Sequence, residues 1–267
     1  MGNDPILSLS QSEVLNLYTM VTIIINTLMF FKPNYNSHYK KYANQSLDWL
    51  TMDTQILYEK HLKLNYSMLL KNNWIDYKSF TYKFNSHGFR CNEFNDSPTI
   101  MFIGCSNTCG VGLPIETIWP ELVSKNLNMQ CANLGQAGGS NDTAFRLCHG
   151  WIDKIQPKIV VLLNPPGVRL EIVTNKHNIR HLNPQWGNDL EDYPFLKEWC
   201  MDNNNNYFNI LKNTLAIENV CKSKNIKFVC FTLKEWWSIR KPDLARDLTH
   251  AGIVSNHNFA EYALTKI

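Results

Sequence analysis

From Thr99 onward, short and largely apolar runs alternate with stretches of helical length, and this alternation constrains the fold more than any other feature of the chain. Thr99-Ile-Met-Phe-Ile103 stops at Gly104. Gln130–Leu134 is closed by Gly135. Pro157-Lys-Ile-Val-Val-Leu-Leu163 is stopped by Asn164-Pro-Pro-Gly167, and Ile226–Thr232 forms a fourth run. Apolar runs of this length between turn residues predict strands buried on both faces. Between and after them lie helix candidates over Glu121–Leu127, Asp142–Ile155, Phe208–Ser223 and a closing helix that includes Phe259–Thr265. Pro120 falls in the first turn of the first of these, where its missing N–H is no loss. Strands alternating with helices predict an α/β fold, a three-layer α/β/α sandwich around a parallel sheet. In such sheets ligands gather at the carboxyl ends of the strands.

The first ninety residues lack this pattern. Val14–Phe31 is apolar and close to the length of a bilayer span of about 20 residues, but Asn16, Thr19, Thr22, Asn26 and Thr27 interrupt it. No basic region precedes it and no small-residue cleavage site follows, so it does not read as a signal peptide. The expectation is a buried or partner-facing helix, with a membrane anchor as the alternative. Ser46–Leu70 is a second helix candidate. The chain is therefore expected to divide into a mostly helical extension, residues 1–90, and an α/β domain, residues 91–267.

Composition narrows the function classes. The 267 residues carry a net charge of +3, with no basic stripe and no nucleic-acid motif, so nucleic acid is not expected as a partner. Hydrophobic residues make up 44% and charged residues 18%, the proportions of a folded chain and not a disordered one. The eight cysteines form no CxxC pair, and none has a His at zinc spacing. They read as buried free thiols, which favours a reducing, cytoplasmic setting. No cofactor or metal is expected. Trp186 and Trp236-Trp237 could form a stacking wall for carbohydrate, but tryptophan more often serves a core or an interface.

Three segments carry candidate chemistry. Gly104-Cys-Ser-Asn-Thr108 leaves the first strand directly, which puts Ser106 at a cleft; turn formation alone would also explain Gly and Ser there. Asn133-Leu-Gly-Gln-Ala-Gly-Gly139 leaves the second strand, and its glycines allow a backbone N–H to approach a ligand. It lacks the Lys-Ser/Thr of a phosphate loop and the GxGxxG spacing, so an oxyanion donor is the better reading. Asp247-Leu-Thr-His250 can join a carboxylate to one nitrogen of an imidazole, which lets the other nitrogen act as a base. The alternative is an Asp at a helix start beside an unrelated His. Arg169 and Glu171, after the third strand, could line the cleft, although an exposed ion pair is the simpler expectation. Cys105 alternates away from Ser106 along the strand and is not the expected nucleophile. His257 reads as a surface or capping residue.

Taken together, these blocks resemble the SGNH/GDSL hydrolase family over residues 85–267. Asn85-Ser-His-Gly-Phe-Arg90 is similar to the lead-in of many members, and Gly110–Val123 to the stretch after the family's serine. The resemblance implies Ser106 as nucleophile, His250 as general base and then acid, and Asp247 as its orienting partner. It also implies an oxyanion site formed by the Ser106 and Gly138 amides. Two departures stand out. Cys105 replaces the Asp of Gly-Asp-Ser. The third block, Gly-x-Asn-Asp in the family, is Leu163-Asn-Pro-Pro-Gly167 here, so Asn164 is the nearest candidate for the side-chain donor and sits about two positions early. The implied activity is cleavage of a carboxylic ester, with a small-molecule or carbohydrate O-acetyl ester as the expected substrate. The alternatives are a catalytically silent SGNH-like binding module and a membrane-associated lipid esterase or thioesterase.

Overall fold

The computed structural model describes residues 35–76, 79–173, 179–184 and 194–267, all within one compact unit, Tyr35–Ile267. The Val14–Phe31 segment and Trp186 lie outside the described residues. In chain order the strands are β1 (Ser46–Leu47), β2 (Tyr82–Lys83), β3 (Thr99–Ile103), β4 (Gln130–Asn133), β5 (Ile159–Leu163), β6 (Leu170–Val173), β7 (Ile179–Leu182) and β8 (Lys227–Phe231). The helices are α1 (Gln55–Leu64), α2 (Tyr66–Lys71), α3 (Ser106–Cys109), α4 (Trp119–Asn126), α5 (Asn141–Ile155), α6 (Pro194–Met201), α7 (Asn203–Ser223), α8 (Leu233–Ile239) and α9 (Ile253–Leu264).

The four predicted strands form one sheet in the order β4-β3-β5-β8, and every neighbouring pair is parallel. Side chains alternate across it, as the pleat requires. Met101, Ile103, Val160 and Leu162 pack with Leu147, Trp151 and Ile152 of α5 and Ile217 of α7. Ile100, Phe102, Val161 and Leu163 pack with Trp119 and Val123 of α4, Trp236 of α8 and Phe259 of α9. Both faces are covered, which is why these strands read as unbroken apolar runs, and the fold is the expected three-layer α/β/α sandwich. Chain order reverses about β3, which has β4 on one side and β5 on the other, so a crevice opens at the carboxyl ends of β3 and β5.

The part of the N-terminal stretch that is described, from Tyr35 onward, belongs to this same compact unit. The single helix expected over Ser46–Leu70 is divided. Residues 46–47 pair antiparallel with β2, Thr54 caps α1 by accepting from the Leu57 N–H at 3.1 Å, and Asn65 separates α1 from α2. Apolar spacing misled here because Ile56 and Leu64 face solvent (82% and 68% exposed). All eight cysteines are unpaired and seven are buried. Among the described residues, no helix is long and apolar enough to cross a membrane.

Candidate active site

Three loops at the carboxyl ends of the parallel strands converge with the segment before α9. After β3, the chain passes Gly104, where a Cβ would meet Thr108 Oγ1 at 2.3 Å and the Leu163 carbonyl at 2.8 Å. Only glycine permits that packing, and it delivers Ser106 to the first position of α3. After β4, the Asn133 side chain joins two loops: its amide donates to the Thr108 carbonyl (2.8 Å) and its oxygen accepts from the Gly135 N–H (3.0 Å). The turn then places Gly138 at φ 75°, a left-handed conformation that suits glycine. Among the described residues, neither the Ser106 nor the Gly138 backbone N–H has an acceptor.

The Asp247–His250 turn is built for one bond. Asp247 Oδ2 lies 2.5 Å from His250 Nδ1, while Oδ1 accepts the Thr249 and His250 N–H groups, both at 3.0 Å. Leu248, between them, takes φ 50°, an uncommon conformation for a branched residue, held here by surrounding structure. The Leu248 N–H donates to the Ala245 carbonyl (2.8 Å) and the Ala245 N–H to the His250 carbonyl (2.9 Å). Asp243 closes the loop from the other end. Its Oδ2 accepts from the Val254 N–H at 2.7 Å, which caps α9 in place of Gly252, and the Gly252 N–H donates to its carbonyl. Gly112 lets the turn come close, since a Cβ there would lie 2.8 Å from Ala245 Cβ and 3.2 Å from Asp247 Oδ1.

Burial alone would raise the Asp247 carboxyl. The hydrogen bond and charge of His250, with the two backbone N–H bonds, hold it below its ordinary value of 3.8. A depressed folded-state value means stability that is fully present above the unfolded value and lost as pH falls through the folded one. The stability difference between wild type and Asp247→Asn, measured by chemical denaturation, is therefore expected to be greatest above about pH 4 and to shrink below it.

Ser106, Gly138, Arg169 and His250 line one cavity of about 640 Å³, together with Thr51, Met52, Ala137 and Thr249. No hydrogen bond joins His250 Nε2 to Ser106 Oγ directly, although both residues face the same cavity; such bonds commonly tighten only with substrate in place. Asn164 is not among the lining residues. Its backbone N–H continues the sheet by donating to the Phe231 carbonyl at 2.9 Å, which sends its side chain to Cys230 Sγ (3.1 Å) and Thr214 Oγ1 (3.2 Å). Arg169 takes the place on the cavity wall that the sequence reading gave to Asn164. Glu171 is neither in the cavity nor an exposed ion pair: its side chain is 5% exposed and is paired with Arg146. Cys105 is buried, Trp236 is core and His257 is exposed. A second cavity, of about 660 Å³ and lined in part by Trp49, Tyr58 and Arg246, contains no histidine among its lining residues.

Sequence reasoning missed Thr51 and Met52, because no local signal links the segment before α1 to loops some fifty residues or more away.

The described residues thus bring a serine, a glycine turn and an Asp–His pair together at the carboxyl end of the parallel sheet of a three-layer α/β/α fold. No protein-family model matches the chain, and no curated protein matches its sequence. Solved structures do match in fold. A member of the lipolytic G-D-S-L family from Veillonella parvula is 17% identical over 62% of this chain and 96% of its own, with a TM-score of 0.34. The acetyl xylan esterase AlAXEase is 13% identical over 63% of this chain and 99% of its own, with a TM-score of 0.33. Axe2, an acetyl-xylooligosaccharide esterase from Geobacillus, is 15% identical over 63% of this chain and 93% of its own, with a TM-score of 0.34. These are distant likenesses in fold, and the first of them carries the name of the family that the sequence blocks resemble.

Proposed function

We propose that this protein hydrolyses a carboxylic ester through an acyl-enzyme on Ser106. The observation that carries the reading is the Asp247–His250 bond of 2.5 Å, set on the same cavity as a serine that leaves a buried parallel strand. In this reading Ser106 Oγ attacks the ester carbonyl and His250 Nε2 takes its proton. Asp247 keeps the other nitrogen protonated and stabilises the imidazolium. The tetrahedral oxyanion is held by the Ser106 and Gly138 N–H groups, with the Arg169 guanidinium as third donor in place of an Asn side chain. Collapse expels the alcohol, which receives its proton from His250. Water, deprotonated by the same His, then releases the acid and restores Ser106.

The lining favours a short acyl group. Among the described residues that line the cavity, Met52 and Ala137 carry the apolar side chains, and the others are small, polar or charged. A carbohydrate O-acetyl ester or another small polar ester fits this wall better than a long lipid chain. The test is hydrolysis of p-nitrophenyl acetate and butyrate by purified protein. Turnover of acetate ahead of butyrate is expected, with Ser106→Ala at background. Arg169→Ala is expected to lower kcat roughly 100- to 1,000-fold, the usual loss on removing one oxyanion donor. Equal rates for wild type and Ser106→Ala would favour the catalytically silent module instead.

A further inference from the structure

Beside the cavity, three side chains from separate segments meet. Glu171 on β6 and His181 on β7 are directly opposite in the antiparallel register. His38 comes from the segment before β1. Glu171 Oε2 lies 3.9 Å from His38 Nε2 and 3.8 Å from His181 Nδ1, one donor atom of each residue lies within 4.8 Å of the others, and the two imidazole rings are 3.7 Å apart between centroids. We propose that His38, Glu171 and His181 bind a divalent cation of the zinc class.

The ligand set and its surroundings support this. Two imidazoles and one carboxylate are ligands zinc prefers, with a fourth position left for water. Ligands about 2.1 Å from zinc stand about 3.4 Å apart in a tetrahedron, so the two separations from Glu171, 3.8 and 3.9 Å, need to close by about half an ångström, while all three donor atoms already lie within 4.8 Å of one another. His38 Nε2 is buried and has no hydrogen-bond partner among the described residues, a position that favours a ligand.

The surroundings orient the ligands. Arg146 Nε holds Glu171 Oε1 at 2.5 Å, Arg146 Nη2 holds Oε2 at 2.9 Å, and Thr143 Oγ1 donates to Oε2 at 2.7 Å. The His38 backbone N–H is fixed by Gln136 Oε1 at 2.8 Å. Outer partners of this kind set ligand orientation. The guanidinium opposes a second cation, and binding would turn Oε2 from Arg146 toward the ion while Oε1 keeps its bond. Location gives the site a consequence. Tyr39, next to His38, accepts from the Ala137 N–H (3.1 Å) in the wall of the cavity, and Glu171 follows Arg169 by two positions. The ion would fasten the chain before β1 to the β6–β7 hairpin and so brace both walls.

The test uses the full chain, stripped with chelator and titrated with zinc chloride by calorimetry and with cobalt chloride by visible absorption. The expected result is one ion per chain and tetrahedral cobalt bands without thiolate charge transfer. A rise of several degrees in Tm with zinc is also expected. His38→Gln and His181→Gln should lose binding while keeping the wild-type circular dichroism, and the exposed His257→Gln should keep it. No uptake by wild type would overturn the proposal. So would undiminished uptake by either ligand variant, or cobalt–thiolate charge transfer, which would place the ion on the cysteines.

Discussion

Asp247→Asn is expected to lower kcat about 10,000-fold with the fold intact, because a carboxamide at this position favours the wrong imidazole tautomer. The geometry makes the effect specific. Asp247 Oδ2 faces His250 Nδ1, while Oδ1 is occupied by two backbone N–H groups. An Asn that keeps its oxygen on those N–H groups must turn its NH2 toward Nδ1. The imidazole then has to accept at Nδ1 and carry its proton on Nε2, which prevents it from taking the Ser106 proton. Kinetics on an activated ester check this, with circular dichroism and denaturation midpoints as controls. A loss under tenfold would mean that Asp247 is a turn residue and not a catalytic partner.

Asp53→Ala is expected to destabilise the protein by roughly 3–5 kcal/mol, the usual cost of leaving one member of a buried ion pair alone. The Asp53 and Arg246 side chains are each 1% exposed. Arg246 reaches Asp53 through Nε at 3.0 Å and Nη2 at 2.6 Å, and its guanidinium lies over the rings of Trp49 and Phe80. Asp53 also accepts from Tyr82 Oη (2.5 Å), which in turn accepts from the Gly112 N–H (2.7 Å). Arg246 immediately precedes Asp247, so this network ties the segment before α1 to the Asp247–His250 turn. Urea denaturation of Asp53→Ala, Arg246→Met and the Asp53→Leu/Arg246→Met pair measures it. The double variant is expected to be less damaged than the sum of the single ones, because no charge is left buried alone. Single variants within about 1 kcal/mol of wild type would mean that the Asp53–Arg246 pair does not hold this segment in place.

The sheet was legible because its strands are covered on both faces, so burial appears as unbroken apolar runs ended by Gly or Pro. Ser106, Gly138 and the Asp247–His250 turn were legible because each lies directly beyond such an element or within a short local motif. The rest depends on contacts distant in sequence. Strand β1 pairs with β2 some 36 residues on, and no periodicity within Ser46–Leu70 signals that. Asn164 was chosen for its closeness to the third block. One sheet hydrogen bond, to the Phe231 carbonyl, turns its side chain toward α7 instead. Glu171 was read as an exposed ion pair because nothing local indicates that Arg146, His38 and His181 bury it. The Asp53–Arg246 pair was invisible for the same reason.

An activated Ser106 differs from an ordinary buried serine in its reactivity toward a covalent serine probe. Purified protein is treated with a fluorophosphonate probe, digested, and the labelled peptide located by mass spectrometry, beside Ser106→Ala and His250→Ala. One adduct is expected, on Ser106, absent from Ser106→Ala and slowed at least about 100-fold in His250→Ala. An unlabelled wild type, or a label that persists in Ser106→Ala, would contradict the activation of Ser106.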